Sequence, residues 1–177
     1  SGSDSRELED YQYSVGTAPG DSNIVAWTSV STNTSMSLEN VELLEEQTYY
    51  GNVRAVDRAS NVSDVVTSDG ITIDYTVPVS GSVSDGLSAD LIFIGTADSL
   101  SANWTGFSDS ISGIQKYEYA IGSSSGGTDV IDWTNNNTDT SVAETGLSLT
   151  KDTTYYLSVR ATDNVGNVST IVTSDGL

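Results

Sequence analysis

The chain has 177 residues, room for one large domain or two of ordinary size, and contains neither cysteine nor histidine. Disulfides, thiolate metal sites, thiol nucleophiles and the Ser-His-Asp arrangement are therefore excluded. Twenty-five acidic residues against six basic ones leave a net charge of −19, which repels nucleic acid and anionic membrane surfaces and, with the missing histidine, argues against an enzyme.

The acidity does not imply disorder. The hydrophobic fraction is 36%, with three Trp and nine Tyr, whereas disordered acidic chains lack aromatic and β-branched residues. Val, Ile, Thr and Tyr suit pleated strands, and Gly, Asn, Asp and Ser supply turns, so the composition predicts an all-β chain. Ser1-Gly2-Ser3-Asp4 lacks the pattern of a secretion signal, and the chain reads as mature or as a fragment. Apolar runs such as Leu91-Ile92-Phe93-Ile94 fall far short of the roughly 18 residues of a membrane span.

Along the chain, the early elements are legible because they recur. Tyr11-Gln12-Tyr13-Ser14-Val15-Gly16 returns as Tyr117-Glu118-Tyr119-Ala120-Ile121-Gly122, an offset of 106. Trp27-Thr28 returns at Trp133-Thr134, Tyr49-Tyr50 at Tyr155-Tyr156, and Arg54-Ala55-Val56-Asp57 at Arg160-Ala161-Thr162-Asp163. Asn61-Val62-Ser63 and Thr67-Ser68-Asp69-Gly70 recur in the same register, so the chain is a tandem array. In the later copy, Val83 to Ile94 predicts an opening strand or two, and Leu100, Ala102 and Trp104 give the next by strict alternation. Tyr117, Tyr119 and Ile121 form a further strand, followed by a Gly/Ser turn at 122–127. Val130 to Trp133, Thr138 to Val142, a long strand from Tyr155 to Ala161, and Val168 to Thr173 complete about seven strands. The segment from Thr72 to Gly106 has no counterpart before Ser1, so the expected division is a partial repeat at 1–76, lacking its first strands, and a complete one at 77–177.

Trp104 on its strand, the Tyr-x-Tyr-x-Ile strand, and Leu149 six residues before Tyr155 with alternating Leu157, Val159 and Ala161 resemble a fibronectin type III domain. The resemblance implies tandem seven-stranded β-sandwiches, the first incomplete at its N-terminus, and a tyrosine corner in which the Tyr155 hydroxyl bonds nearby backbone. Leu43 and Tyr49 keep the same spacing in the first repeat. The turn phrase at 161–167 is similar to repeats of very large bacterial cell-surface proteins, including adhesins and the gliding-motility adhesins of Bacteroidota. This resemblance implies an extracellular stalk or filament whose partners are neighbouring repeats, self-assembled copies, or a surface glycan or protein. The alternative is a carbohydrate- or protein-binding accessory module of a secreted enzyme.

The candidate sites follow from residue type. Asp57, Asp69 and Asp74 late in the first repeat, and Asp85, Asp90 and Asp109 early in the second, fall at predicted loop ends. Carboxylates from two domain ends suit calcium; no cofactor is required, and turn-capping is the competing role. Trp27 and Trp133 are the candidate binding residues, able to stack on a sugar or to cover the edge of their own core. Arg54 and Arg160 fall out of phase with the core face and are expected on the outer sheet surface, against an aromatic or an Asp. No carboxylate lies among apolar residues in the manner of a glycosidase acid. Sequons occur at Asn33, Asn61, Asn103, Asn136 and Asn167.

Overall fold

The protein is described by a computed structural model for residues 7–177, so the Ser1–Asp4 stretch lies outside the described residues. Every regular element there is a strand: β1 Leu8–Gly16, β2 Val25–Ser29, β3 Thr48–Asp57, β4 Val66–Thr67, β5 Ile71–Thr72, β6 Ser82–Asp85, β7 Ser99–Thr105, β8 Ile114–Gly122, β9 Ile131–Asn135, β10 Ser141–Thr145, β11 Tyr156–Asp163 and β12 Val172–Thr173. The chain divides into two units, Ser1–Asp74 and Tyr75–Leu177.

In the second unit, β6, β7 and β10 form a three-stranded sheet in the order β10-β7-β6, and the remaining strands form a four-stranded one in the order β12-β11-β8-β9. All pairings are antiparallel. The alternation of Leu100, Ala102 and Trp104 puts these three on the inner face of one sheet, and Tyr117, Tyr119, Ile121, Leu157, Val159 and Ala161 face them from the other. Trp104 and Phe107 each meet the Tyr117 ring edge-on, with centroids 5.8 and 5.6 Å apart. Ile121, Val159 and Ala161 are wholly buried. This three-plus-four antiparallel sandwich is the fibronectin type III-like architecture.

Three strand readings need correction. Of the predicted 83–94 region only the part up to Asp85, within β6, is extended; Gly86 turns the chain at φ +92°, and Leu91 to Ile94 lie in an exposed loop. The apolar run suggested a strand, but no neighbouring strand pairs with it. The strand predicted from Thr138 runs instead over Ser141–Thr145, because Asn136 bonds Asp139 and Ser141 carbonyls and Asn137 adopts a positive φ, which makes the preceding residues a turn. Past Asp163, Val168 makes only an isolated bridge to Thr162, and the ladder resumes at Val172–Thr173.

The first unit contains one five-stranded sheet, β2-β1-β3-β4 with β5 also on β3. Its β1–β3 register joins Tyr13 to Val53 and Val15 to Gly51, as Tyr119 joins Val159 and Ile121 joins Leu157 in the second. No strand occurs between β2 and β3 among the described residues. Gly70 and Gly176 occupy matching positions with φ of +91° and +99°, and a Cβ on either would lie 2.8 Å from the Tyr50 or Tyr156 ring.

Candidate functional site

The recurring residues perform the same task in each unit. The Tyr155 hydroxyl accepts a hydrogen bond from the Thr150 N–H at 2.8 Å, and the Tyr49 hydroxyl accepts one from Leu44 N–H at 2.8 Å. Each ring is 7% exposed, so each phenol buries its body and keeps its polar tip satisfied.

Trp27 and Trp133 are aimed by β-bulges. Between Tyr13 and Val15 the β2 partner advances from Thr28 to Val25, one residue more than β1 does, and β9 repeats this opposite Tyr119 and Ile121. The extra residue sends Ile131 into the core and Trp133 to the opposite face. There Arg54 lies over the Trp27 ring at 4.2 Å and Arg160 over Trp133 at 4.3 Å. Arg54 Nε donates to Gln12 Oε1 at 2.9 Å, whereas Arg160 Nε donates to Glu118 Oε2 at 3.1 Å, with Lys116 also paired to Glu118. Both arginines thus lie on the outer sheet surface, as their phase implies. Trp133 does not cover the core edge: its indole is half-buried beneath a guanidinium on the outer face.

The aspartates separate by role. Asp57 Oδ1 accepts from the Ala59 and Asn61 N–H groups, and Oδ2 accepts from Asn61 Nδ2 at 2.9 Å. Asp163, its counterpart, takes N–H groups of Val165, Gly166 and Asn167 on Oδ1 and Asn167 Nδ2 on Oδ2. Burial opposes ionisation of Asp163, but the Asn167 side chain and these backbone donors outweigh it and hold its carboxyl below the usual range. Asp109 likewise closes a turn through the N–H groups of Ile111, Ser112 and Gly113. Asp69 is exposed between β4 and β5, and Asp74 is buried at the end of the first unit.

Asp85 departs from the sequence reading. It is 2% exposed at the end of β6, beside Asp90 and Asp175, with carboxylate oxygens of the three within 4.8 Å of one another. Burial pushes its carboxyl up; the Ser174 hydroxyl and Gly176 N–H favour the ionised form, and the Asp175 and Asp90 charges oppose it. A carboxylate with a raised pKa therefore does exist in this chain, contrary to the expectation from the sequence. The signal was hidden because Asp175 is 90 positions away and reaches Asp85 only when the chain end folds back, placing the Gly176 N–H 3.1 Å from Asp85 Oδ2. Three carboxylates supply only part of the six to eight oxygens that calcium takes. Asp85 takes a backbone N–H, that of Gly176, on one carboxylate oxygen. Among the sequon asparagines, Asn61, Asn103, Asn136 and Asn167 each donate through Nδ2 to a partner within the protein.

A concave surface lies on the first unit's sheet. A groove of about 500 Å³ runs along Tyr13, Val15 and Val53 beneath Met36, Leu38 and Leu43. It is predominantly apolar, and the sequence pointed to it only through the first strands missing from the first repeat.

No family model matches the chain. Exoglucanase B of Cellulomonas fimi is 34% identical over 149 residues, which is 80% of this chain. The chain spans only 12% of the length of that curated relative. Among solved structures, the FN1–FN3 domains of chicken CNTN1 resemble it over 93% of this chain and 54% of theirs, with 15% identity and a TM-score of 0.46. No helix among the described residues is long and apolar enough to cross a membrane.

Proposed function

We propose that this chain is a non-catalytic spacing segment of a larger extracellular protein, its repeats forming part of an adhesive stalk or filament. The observation that carries this reading is what recurs at the offset of 106. The bonded tyrosine, the arginine over tryptophan and the aspartate-closed turn each find their partners within their own unit, so the repeat retains architecture rather than a reactive group. Reach and weak multivalent contact then come from repetition, with neighbouring repeats as the first partners.

A second reading is favoured by the match to Exoglucanase B: an accessory module attached to a glucan-acting enzyme. Co-sedimentation of the chain with insoluble β-glucan separates the two. The spacer reading expects no retention and no release of reducing sugar. Retention that Trp133→Ala abolishes establishes the accessory role, and sugar release by the purified chain overturns both.

A further inference from the structure

An exposed apolar run calls for a reason that a buried one does not. Leu91, Ile92, Phe93 and Ile94 are consecutive in the loop between β6 and β7 of the second unit, and all four are exposed, Ile92 by 69% and Phe93 by 86%. Leu87, earlier in the same loop, is exposed as well. Single apolar residues on a surface are ordinary, whereas a contiguous run marks a surface that meets something.

The loop is held at both ends. Gly86 N–H donates to Ser101 O, and Asn103 Nδ2 donates to Gly86 O at 2.8 Å, which ties the start of the loop to β7. Asp85 N–H donates to Asp90 Oδ1, and Leu91 N–H donates to Asp85 O at 2.9 Å, so residues 85–91 close on themselves. At the far end, Leu149 and Leu147 N–H donate to the Ala97 and Asp98 carbonyls. Residues 92–96 form an exposed tip between these anchors. A tip anchored in this way loses less freedom on binding than a trailing loop does.

The base of the tip is acidic. Asp85, Asp90 and Asp175 bring carboxylate oxygens within 4.8 Å of one another, and Asp90 and Asp175 are exposed. An anionic surface meets repulsion there, and so does a second copy of this chain with its net charge of −19. A cation beside an apolar patch meets attraction.

We propose that the β6–β7 loop docks a protein partner that presents an apolar patch rimmed by arginine or lysine. Ile92 and Phe93 pack on the patch, and the rim cation lies against Asp90 and Asp175. An aromatic anchor supplies most of the energy of such a contact, and the flanking charges set its orientation. One short loop buries less than the roughly 1,200 Å² of a stable interface, so the contact is weak and reversible. The inference does not depend on the spacer or accessory role.

The test titrates the full chain into a fluorescent helical peptide whose leucine face is flanked by lysines, and into its counterpart with glutamate in place of lysine. Anisotropy is expected to show saturable binding of the lysine peptide and none of the glutamate one. Phe93→Asp is expected to weaken binding about tenfold, and Asp90→Asn combined with Asp175→Asn about threefold. Slow hydrogen exchange in β8 confirms that the second unit is folded in each variant. Because Phe93→Asp adds a negative charge, attraction by net charge alone would not fall. The proposal is overturned if the lysine peptide does not bind, or if wild type and Phe93→Asp bind it equally. It also fails if phosphatidylcholine vesicles retain the wild-type chain but not Phe93→Asp, for the tip would then serve a lipid surface. A dimer in sedimentation that Phe93→Asp dissolves would overturn it too, since a second copy would then cover the tip.

Discussion

Asp163 shows how one side chain can terminate a strand. It closes its turn with three backbone N–H groups and one amide, and its folded pKa lies below the ordinary 3.8. A carboxylate depressed in the folded state contributes stability that is complete above the unfolded pKa and lost as pH falls through the folded one. Asp163→Ala is expected to destabilise the second unit by about 1 kcal/mol at neutral pH, since the turn's three N–H groups and the Asn167 amide lose their shared acceptor. The difference from wild type should shrink as pH drops below 3.8, measured by urea denaturation across pH. Tyr119 titrates at the other end of the scale. Burial first, and then the hydrogen bond its hydroxyl donates to Glu144, raise its pKa from 10 to about 12. Its contribution is therefore complete below pH 10 and lost between 10 and 12. Tyr119→Phe should cost about 1 kcal/mol at pH 7 and remove Tyr119's share of the alkaline destabilisation, leaving that of the other tyrosines; thermal melts at pH 8 and 11.5 distinguish the slopes.

At the scale of the strand, equivalent residues in the two repeats have different energetic weight. Val159 is wholly buried between two sheets, and truncation leaves a cavity that packed neighbours cannot fill. Val53 has the same register partner type, a tyrosine on the adjacent strand, but a face open to solvent. Val159→Ala is expected to cost about 2 kcal/mol, and Val53→Ala to stay within about 0.5 kcal/mol. Equal losses in chemical denaturation would mean that the face over Val53 is closed in solution. Strand alternation was legible in the sequence wherever a strand had both a buried face and a partner, as for Leu100–Trp104 and Tyr117–Ile121. It misled at Leu91 to Ile94, where apolar content without a partner strand yields a loop. The outward turn of Trp133 was not legible either, because a bulge inserts one residue into a period of two and reverses every side chain beyond it. The Asp85, Asp90 and Asp175 group was invisible for a different reason: its members meet only through the tertiary return of the chain end.

For the molecule as a whole, charge and core distribution set the order of unfolding. The second unit closes two sheets over a core that includes Trp104, Phe107, Tyr117 and Tyr119, whereas the described part of the first unit has a single sheet with an apolar groove on one face. The hydrophobic contribution scales with area removed from water, so the first unit is expected to melt at the lower temperature and calorimetry to resolve two transitions. A net charge of −19, with three described ion pairs to offset it, adds self-repulsion to both. Raising ionic strength from 0.01 to 0.15 M shortens the screening length from about 30 to about 8 Å, so both transitions should move upward. If repulsion dominates the weaker unit, its midpoint rises more. Assigning each transition by hydrogen exchange, with β1 and β3 reporting one unit and β8 and β11 the other, makes the order testable. A single cooperative transition spanning all four strands would show that the first unit's sheet is as well supported as the second unit's sandwich, and that an open apolar face is not where this chain begins to unfold.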